Sequence, residues 1–307
     1  MSSAPADRVP ALGVDSIYRT ADVVGDAWSW LVMRESVLYD VHRFSQFQAR
    51  LGVARSTLAA RLRQLTSGGL LAEHSRAPGP EYHPTECGQD FLGSLMVAMR
   101  WGDRWYFEEH TRPAAAVHVG CGHPLDSVLS CAECKEVVSA RAVTARRPDP
   151  LIASPRVAPR RRTPDLSLLE RTRTCSIART LSVVGDYWTN MLIREAFFGT
   201  RRFDNFQRNL AIAPNILSSR LRRLVELGIL SPAPYGGWPV RHEYRLTDRG
   251  LDLYHLPLAM LTWGQKWLDT NESDIQLTHT PCGKELRPVL SCDRCATPIG
   301  RQDIRLD

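Results

Sequence analysis

The sequence contains two copies of one pattern, and this internal repeat constrains the fold more than any other feature. Short blocks of residues recur in the same order along the two halves of the chain. The matching blocks are 20–36 with 180–196, 42–71 with 201–230, 81–91 with 243–253, 99–105 with 261–267 and 128–134 with 289–295. Insertions between the blocks are short. The repeat therefore predicts a tandem duplication whose halves fold alike.

Composition narrows the class of protein. With 307 residues and 43% hydrophobic content the chain can bury real cores. No apolar run is long enough for a membrane span, and the first ten residues lack the apolar core of a signal peptide. We expect a cytoplasmic, bacterial, nucleoid-associated protein with reduced thiols. The net charge of +6 and pI near 9.0 favour anionic partners such as nucleic acid only weakly.

Each copy begins with apolar residues at helical spacing. Residues 15–38 and 175–198 are predicted to be one core helix each. A short helix at 45–51 follows, with Ser45 as the expected cap and Asp204 in its place in copy two. A tight turn then leads to a second helix with a leucine stripe. The stripe residues are Leu58, Leu62 and Leu65, matched by Leu217, Leu221 and Leu224.

Hairpin signals follow each predicted helix-turn-helix. Gly69-Leu70-Leu71 and Gly228-Ile229-Leu230 start strands, Pro- and Gly-containing loops follow, and Glu81-Tyr82-His83 and Glu243-Tyr244-Arg245 return. Thr85 and Thr247 are expected to cap long final helices that reach about residues 109 and 271. The predicted fold class is mainly α with small β-hairpin wings (α+β), built as tandem winged helix-turn-helix domains.

The outward face of the second helix predicts contacts with double-stranded DNA. With the leucine stripe buried, short polar side chains and arginines face outward, which suits the major groove. Arginines before the preceding helix and in the wing would add phosphate contacts. The expected DNA-binding residues are Arg43, Arg55, Ser56, Thr57, Arg63, Arg201, Arg202, Asn215, Ser218, Ser219, Arg222 and Arg241.

The outward faces of the second helices differ between the two copies. Asn215 could bond an adenine through two hydrogen bonds, whereas copy one offers Ala59 and Ala60. Copy two is therefore expected to supply most base discrimination. Four tryptophans could line an effector pocket, but we expect them in the core: Trp28, Trp101, Trp188 and Trp263.

Six of the eight cysteines recur in register with a histidine. Two ligand pairs, each with two intervening residues, suit a tetrahedral structural Zn²⁺ site, so two zinc-ribbon-like modules are predicted. The expected ligands are His118, Cys121, Cys131 and Cys134 in copy one, and His279, Cys282, Cys292 and Cys295 in copy two. Disulfides, unligated thiols and an iron–sulfur centre remain alternatives, and His123 could replace His118.

In these motifs the chain resembles the HxlR family of winged-helix regulators. The resemblance rests on V-G-D-x-W, R-x-F, the leucine-striped helix, G-[LI]-L, E-Y-x-x-T and a final W-G, and it covers roughly 15–110 and 175–271. It implies a transcriptional regulator that dimerises through its first and last helices on pseudo-palindromic operator DNA. Most members have one copy, so a homodimer or an intramolecular pseudo-dimer is expected here.

Two departures from the family accompany the resemblance. Ala54 and Ala213 stand where the family usually has a Ser or Thr cap. The family commonly has a cysteine early in the first helix. Cys175 matches it and is a possible redox sensor, with a buried, inert thiol as the alternative, while copy one has Asp15.

These observations divide the chain into six parts. We expect a flexible tail at 1–14, winged helix-turn-helix copies at 15–110 and 173–271, zinc-ribbon-like modules at 111–142 and 272–307, and a basic Pro-rich linker at 143–172. Arg146, Arg147 and Arg160 to Arg162 of the linker could instead track phosphates. No catalytic motif is evident, and a protein-interaction adaptor is the alternative function. The effector, the operator and the direction of regulation stay open.

Overall fold

The structure is a computed structural model that describes residues 15–77, 79–146, 164–236, 240–268 and 274–306. The predicted tail at 1–14 and the arginines at 147 and 160–162 lie outside the described residues. Copy one comprises α1 (Ser16–Val24), α2 (Ala27–Tyr39), α3 (Phe44–Leu51), α4 (Arg55–Ser67), β1 (Leu71–His74), β2 (Glu81–Pro84), α5 (Glu86–Asp90) and α6 (Leu92–Tyr106). Strands β3 (Ala116–His118), β4 (Ser127–Cys131) and β5 (Val143–Arg146) follow.

Copy two repeats this order after the short helix α7 (Leu166–Leu169). It comprises α8 (Ser176–Val184), α9 (Tyr187–Phe197), α10 (Phe203–Leu210), α11 (Pro214–Glu226), β6 (Leu230–Tyr235), β7 (Arg241–Leu246), α12 (Asp248–Asp252) and α13 (His255–Trp267), then β8 (Gln276–His279), β9 (Lys284–Glu285), β10 (Pro288–Cys292) and β11 (Ile304–Leu306). Antiparallel hairpins β1–β2 and β6–β7 form the two predicted wings. Within the described ranges, every helix is too short or too polar to cross a bilayer.

The predicted core helix at 15–38 was wrong in one respect, because it is broken into α1 and α2. Gly25 has a φ of 83°, a left-handed conformation that favours glycine and ends α1. Asp26 then starts α2 by accepting a hydrogen bond from the backbone N–H of Trp28 at 3.1 Å. Copy two is broken at the equivalent Asp186, which accepts from the backbone N–H of Thr189 at 3.2 Å.

Two predicted caps differ from the structure and two agree. Ser45 and Asp204 lie inside the first turns of α3 and α10, whose N-cap residues are Arg43 and Arg202. The backbone N–H of Arg43 instead donates to the Gln46 side chain at 3.1 Å. Thr85 and Thr247 cap α5 and α12 as predicted, although each final helix is interrupted after one turn before α6 or α13 begins.

The two copies pack against each other through their first and last helices. Helix α1 of copy one packs on α13 of copy two, and α8 packs on α6 in the reciprocal contact. Apolar residues from both copies form one continuous core. The two copies therefore form one packed unit within the chain.

The W-G motif explains how closely these helices approach. A Cβ on Gly102 would lie 2.0 Å from the backbone oxygen of Ser176, and a Cβ on Gly264 would lie 2.6 Å from that of Ser16. Only a residue without a side chain allows this crossing. Thr180 Oγ1 donates to the carbonyl of Ala98 at 2.6 Å across the same contact, so hydrogen bonds also join the copies.

The tryptophans of the motif are core residues, as expected. Trp101 and Trp263 are 1% and 3% exposed. Their indole N–H groups donate to the carbonyls of Arg249 at 3.1 Å and Cys87 at 2.9 Å, each in the other copy. Trp28 and Trp188 are half-buried against the core.

The segments after the two winged units are interleaved, which corrects the prediction of two self-contained modules. Strand β4 pairs antiparallel with β10, with Leu129 opposite Leu290. Strand β3 pairs with β11, and β5 pairs with β8. The start of the predicted linker, Val143–Arg146, is therefore a strand held by the other copy.

Candidate nucleic-acid interface and metal centres

The outer face of each second helix is exposed as the leucine spacing predicts. In α4, Arg55, Ser56 and Arg63 are exposed, while Thr57, Ala59 and Ala60 are half-buried. In α11, the whole predicted set of Asn215, Ser218, Ser219 and Arg222 is exposed, together with Pro214. The leucine stripes of both helices are buried. Both helices thus present polar faces to solvent, and that of copy two is more polar.

A partly buried ion pair fixes the inner side of each of these two helices, which we call the recognition helices. Arg61 of α4 donates through Nε to Asp26 at 2.8 Å, and Arg220 of α11 donates to Asp186 at 3.1 Å. Because each aspartate also caps the helix behind it, the pair locks two helices together. Sequence reasoning missed these arginines. The R-L-R triplet in both copies, with its first arginine beside a buried leucine, was the available signal.

The arginines before α3 and α10 link the helix-turn-helix to the wing. Arg43 Nε donates to Glu81 at 3.1 Å, and Arg202 Nε donates to Glu243 at 3.0 Å. Hydrogen bonds from His83 and Arg43 lower the pKa of Glu81, and one from Arg202 lowers that of Glu243. The two guanidinium side chains remain 46% and 52% exposed, so a phosphate can still reach them.

The remaining predicted basic residues lie on the surface. Arg201 precedes α10 and Arg241 begins the second wing strand, and both are exposed. Arg146 is exposed at the end of β5. The structure therefore places every predicted DNA-binding arginine at an exposed position on or beside a recognition unit.

All eight predicted metal ligands gather in two clusters, but their pairing within copies was wrong. One cluster combines His118 and Cys121 of copy one with Cys292 and Cys295 of copy two. The other is its reciprocal, made of Cys131, Cys134, His279 and Cys282. The reason is the interleaving of strands. Pairing of β4 with β10 carries each Cys-Cys turn to the His-Cys turn of the other copy.

The geometry of both clusters fits a tetrahedral ion. Ligand atoms within each cluster lie within 4.8 Å of one another. The sulfurs of Cys121 and Cys292 are 3.9 Å apart, as are those of Cys131 and Cys282. A metal–sulfur bond of about 2.3 Å predicts a sulfur–sulfur edge of about 3.8 Å. All eight cysteines are free, and these separations are far longer than a disulfide bond.

Each ligand pair lies on the same kind of tight turn. The residue after the second ligand donates its N–H to the carbonyl of the first, as Gly122 does to His118 at 2.8 Å and Lys135 does to Cys131 at 2.9 Å. That residue has a positive φ in all four turns, including 57° at Ala296. Hydrogen bonding from Thr297 lowers the pKa of the Cys295 thiol to about 6, which favours the thiolate that a metal requires.

Cys175 and Asp15 occupy equivalent places against arginines of the other copy. Cys175 Sγ lies 2.7 Å from Nη1 of Arg34, and the Asp15 carboxylate lies 3.0 Å from Nη1 of Arg194. Burial raises the pKa of Asp15 despite this arginine. Cys175 is buried at the start of α8. An adjacent cation is one surrounding in which cysteines react, whereas burial limits their access to reagents.

A family model matches both copies. The model for HxlR-like helix-turn-helix proteins covers residues 23–110 and 183–272. The chain belongs to the HxlR-like helix-turn-helix family. This confirms the resemblance drawn from the repeated motifs, with both copies matched at the expected places.

Individual relatives match about one copy. The chain is 45% identical over 130 residues to the HTH-type transcriptional regulator MT3179 of Mycobacterium tuberculosis, covering 42% of this chain and 82% of that protein. It is 31% identical over 96 residues to the HTH-type transcriptional regulator YdeP of Bacillus subtilis, covering 31% and 75%. The crystal structure of PA1607 is 34% identical, covers 45% of this chain and 97% of its own, and gives a TM-score of 0.41.

Proposed function

We infer that this HxlR-like protein is a DNA-binding transcriptional regulator with two recognition helices in one chain. The observation that carries this conclusion is the repeated recognition unit. Each copy exposes a polar, arginine-bearing face on α4 or α11 and fixes the opposite side by a partly buried aspartate–arginine pair. Similar proteins from two bacterial species are named HTH-type transcriptional regulators.

We further propose that the pseudo-dimer binds a pseudo-palindromic operator. Reciprocal packing of α1 on α13 and of α8 on α6 relates the copies as two subunits of a dimer would be related. Since the recognition faces differ, the two half-sites would differ as well. Copy two, with Asn215, Ser218 and Ser219, would read bases, while copy one would rely more on phosphate contacts.

The salt dependence of DNA affinity tests the phosphate contacts. Arg63→Ala and Arg222→Ala should each weaken binding and lower the slope of log affinity against log salt by about 1. Arg287→Ala is the matched control, because this exposed arginine lies in the segment after the second wing. Equal slopes for all four proteins would contradict the assignment and favour a protein-interaction adaptor instead.

Recognition of individual bases is tested by substitutions at Asn215 and at Ser56, which occupy equivalent positions in the two copies. Asn215→Ala should relax preference at one base pair by about 1–3 kcal/mol. Ser56→Ala, at the equivalent place in copy one, should change preference less. If Ser56→Ala relaxed the preference and Asn215→Ala did not, the assignment of base reading to copy two would be wrong.

We propose that both clusters hold structural Zn²⁺ in zinc-ribbon-like folds shared between the copies. Six thiolates and two imidazole nitrogens are ligands that Zn²⁺ prefers, and four ligands from the protein leave no open position for a substrate. Bound metal would fasten the copies at two points. Metal analysis of purified protein should find two zinc ions per chain. Visible absorption from iron and sulfide, or fewer than one metal ion per chain, would contradict the proposal.

We also propose that Cys175 senses oxidants or electrophiles, because its thiol contacts the cationic side chain of Arg34. Alkylation with iodoacetamide at pH 7, followed by mass spectrometry, compares it with Cys87. Burial raises the pKa of the Cys87 thiol to about 11, so this thiol is the slow reference. Faster modification of Cys175 than of Cys87 supports sensing, and equal or slower modification argues against it.

A further inference from the structure

A cavity of about 570 Å³ lies beside the helix-turn-helix of copy two. It is a cleft open to solvent, lined mainly by α9, α13 and strands β5, β7 and β8. Polar and apolar groups share its wall about equally, and the apolar part includes Phe197, Tyr254, Leu258, Leu261 and Ile275. The volume falls in the range of about 300–1,000 Å³ that is typical of small-molecule sites.

The equivalent place in copy one is narrower beside α2. Next to Leu38 and Met99, the space is only about 30 Å³, while a separate cavity of about 570 Å³ lies on the α6 side, against Leu92 and Arg301. Arg301 occupies the region beside α2 by donating to the carbonyls of Val37 at 2.9 Å and Leu38 at 2.8 Å. Because both places derive from the same repeat, this difference comes from the side chains and not from the fold.

Three substitutions between the copies place smaller side chains in the wall of this cavity. Arg301 of copy two corresponds to Ala140 of copy one, and both lie in equivalent 3₁₀ turns. Ile304 and Leu306 correspond likewise to Val143 and Ala145. The strands are exchanged between copies, so these smaller residues line the cavity of copy two. Each replacement removes volume at the wall.

The polar part of the wall is cationic. It contains Arg141, Arg194, Arg201 and Arg245, and no carboxylate belongs to the described lining. Arg194 is 5% exposed and pairs with both Glu195 and Asp15 at 3.0 Å, yet its Nε has no hydrogen-bond acceptor among the described residues. In copy one, all three guanidinium nitrogens of Arg34 have partners.

We propose that this cavity binds a small amphipathic carboxylate, one molecule per chain. The apolar body would pack against Phe197, Tyr254 and Leu258, and the carboxylate would bond the buried Arg194 and the exposed arginines of the rim. The wall also includes Arg201 before α10 and Tyr244 of the wing. Binding would therefore bias the position of the helix-turn-helix and wing of copy two. This regulatory effect rests on the proposed function, but ligand binding itself does not.

The test uses calorimetric titration of the full-length, metal-loaded protein in the absence of DNA. The probes are benzoate, 2-naphthoate and decanoate, with neutral 2-naphthamide as the control for charge. At least one carboxylate should bind at one site per chain, and 2-naphthamide should bind roughly tenfold more weakly than 2-naphthoate if naphthoate is the ligand. No binding by any carboxylate up to about 5 mM would overturn the proposal.

Two variants test whether the ligand binds in this cavity, because each replaces a lining residue by its larger counterpart from the other half of the repeat. Ala140→Arg introduces the counterpart of Arg301 and should weaken binding roughly tenfold or more. Ala145→Leu introduces the counterpart of Leu306, fills the same wall more gently, and should weaken binding in the same direction if Ala140→Arg does not fold. Affinity unchanged in the folded variants would place the ligand elsewhere and refute the site. DNA binding, measured separately, distinguishes this failure from failure of the regulator assignment.

Discussion

Pairs of cysteine substitutions distinguish exchanged metal clusters from clusters formed within one copy. Cys121→Ser with Cys295→Ser removes two ligands from a single exchanged cluster and leaves the other intact. Cys121→Ser with Cys131→Ser instead removes one ligand from each cluster. Both double variants lose two thiolates, so each is the matched control for the other.

The expected magnitudes follow from the number of ligands left. A complete four-ligand zinc site is worth on the order of 10 kcal/mol of binding free energy, so it resists a competing chelator. With Cys121 and Cys295 replaced, one complete site remains and one tightly held ion per chain is expected. With Cys121 and Cys131 replaced, both sites have three ligands and no tightly held ion is expected. Chelator-challenged zinc release, followed by absorbance, measures both.

The opposite result would refute the exchange. If ligands paired within copies, Cys121→Ser with Cys131→Ser would destroy one site and keep one tightly held ion. Cys121→Ser with Cys295→Ser would then damage both sites and keep none. A thermodynamic cycle adds a second readout, because substitutions in the same cluster should be strongly non-additive in their cost to stability.

Two further predictions concern the contact between the copies. Gly102→Ala should lower the free energy of unfolding by about 3 kcal/mol, since its Cβ would meet a backbone oxygen of Ser176 at 2.0 Å. Gly93→Ala in the same helix meets nothing within 4 Å and should be neutral or stabilising by up to about 1 kcal/mol; equal effects in chemical denaturation would contradict the close approach. Burial raises the pKa of Asp103 to about 6 from 3.8, so stability falls as pH rises between these values. Asp103→Asn should therefore stabilise the protein by about 3 kcal/mol at pH 8 and not below pH 4, and a difference independent of pH would refute this.

Local chemistry made much of the fold predictable from sequence. The leucine stripe at Leu58 and Leu62, the cap at Thr85 and the wing hairpins depend on residues close together in the chain, and they occur where the spacing places them. The break at Gly25 was overlooked because the apolar pattern continues across it. The positive φ that breaks the helix depends on one glycine whose signal is easily absorbed into a longer helix.

Long-range pairing was the part that the sequence could not settle. Spacing identified all eight metal ligands, yet it is equally compatible with closure within a copy and with exchange. The choice depends on β4 pairing with β10, which lie far apart in the chain. Likewise, the difference between Ala140 and Arg301 is evident from the sequence. Its consequence emerges only when the structure shows that Arg301 fills a space that Ala140 leaves open.

The most direct test of the central claim is selection of random duplex DNA by the purified, metal-loaded protein, read by sequencing. A pseudo-dimer with two recognition helices predicts an enriched bipartite site, with half-sites about one helical turn apart and the stronger base preference in the half that Asn215→Ala relaxes. No enriched sequence, or a single half-site that is insensitive to Asn215→Ala, would contradict the account.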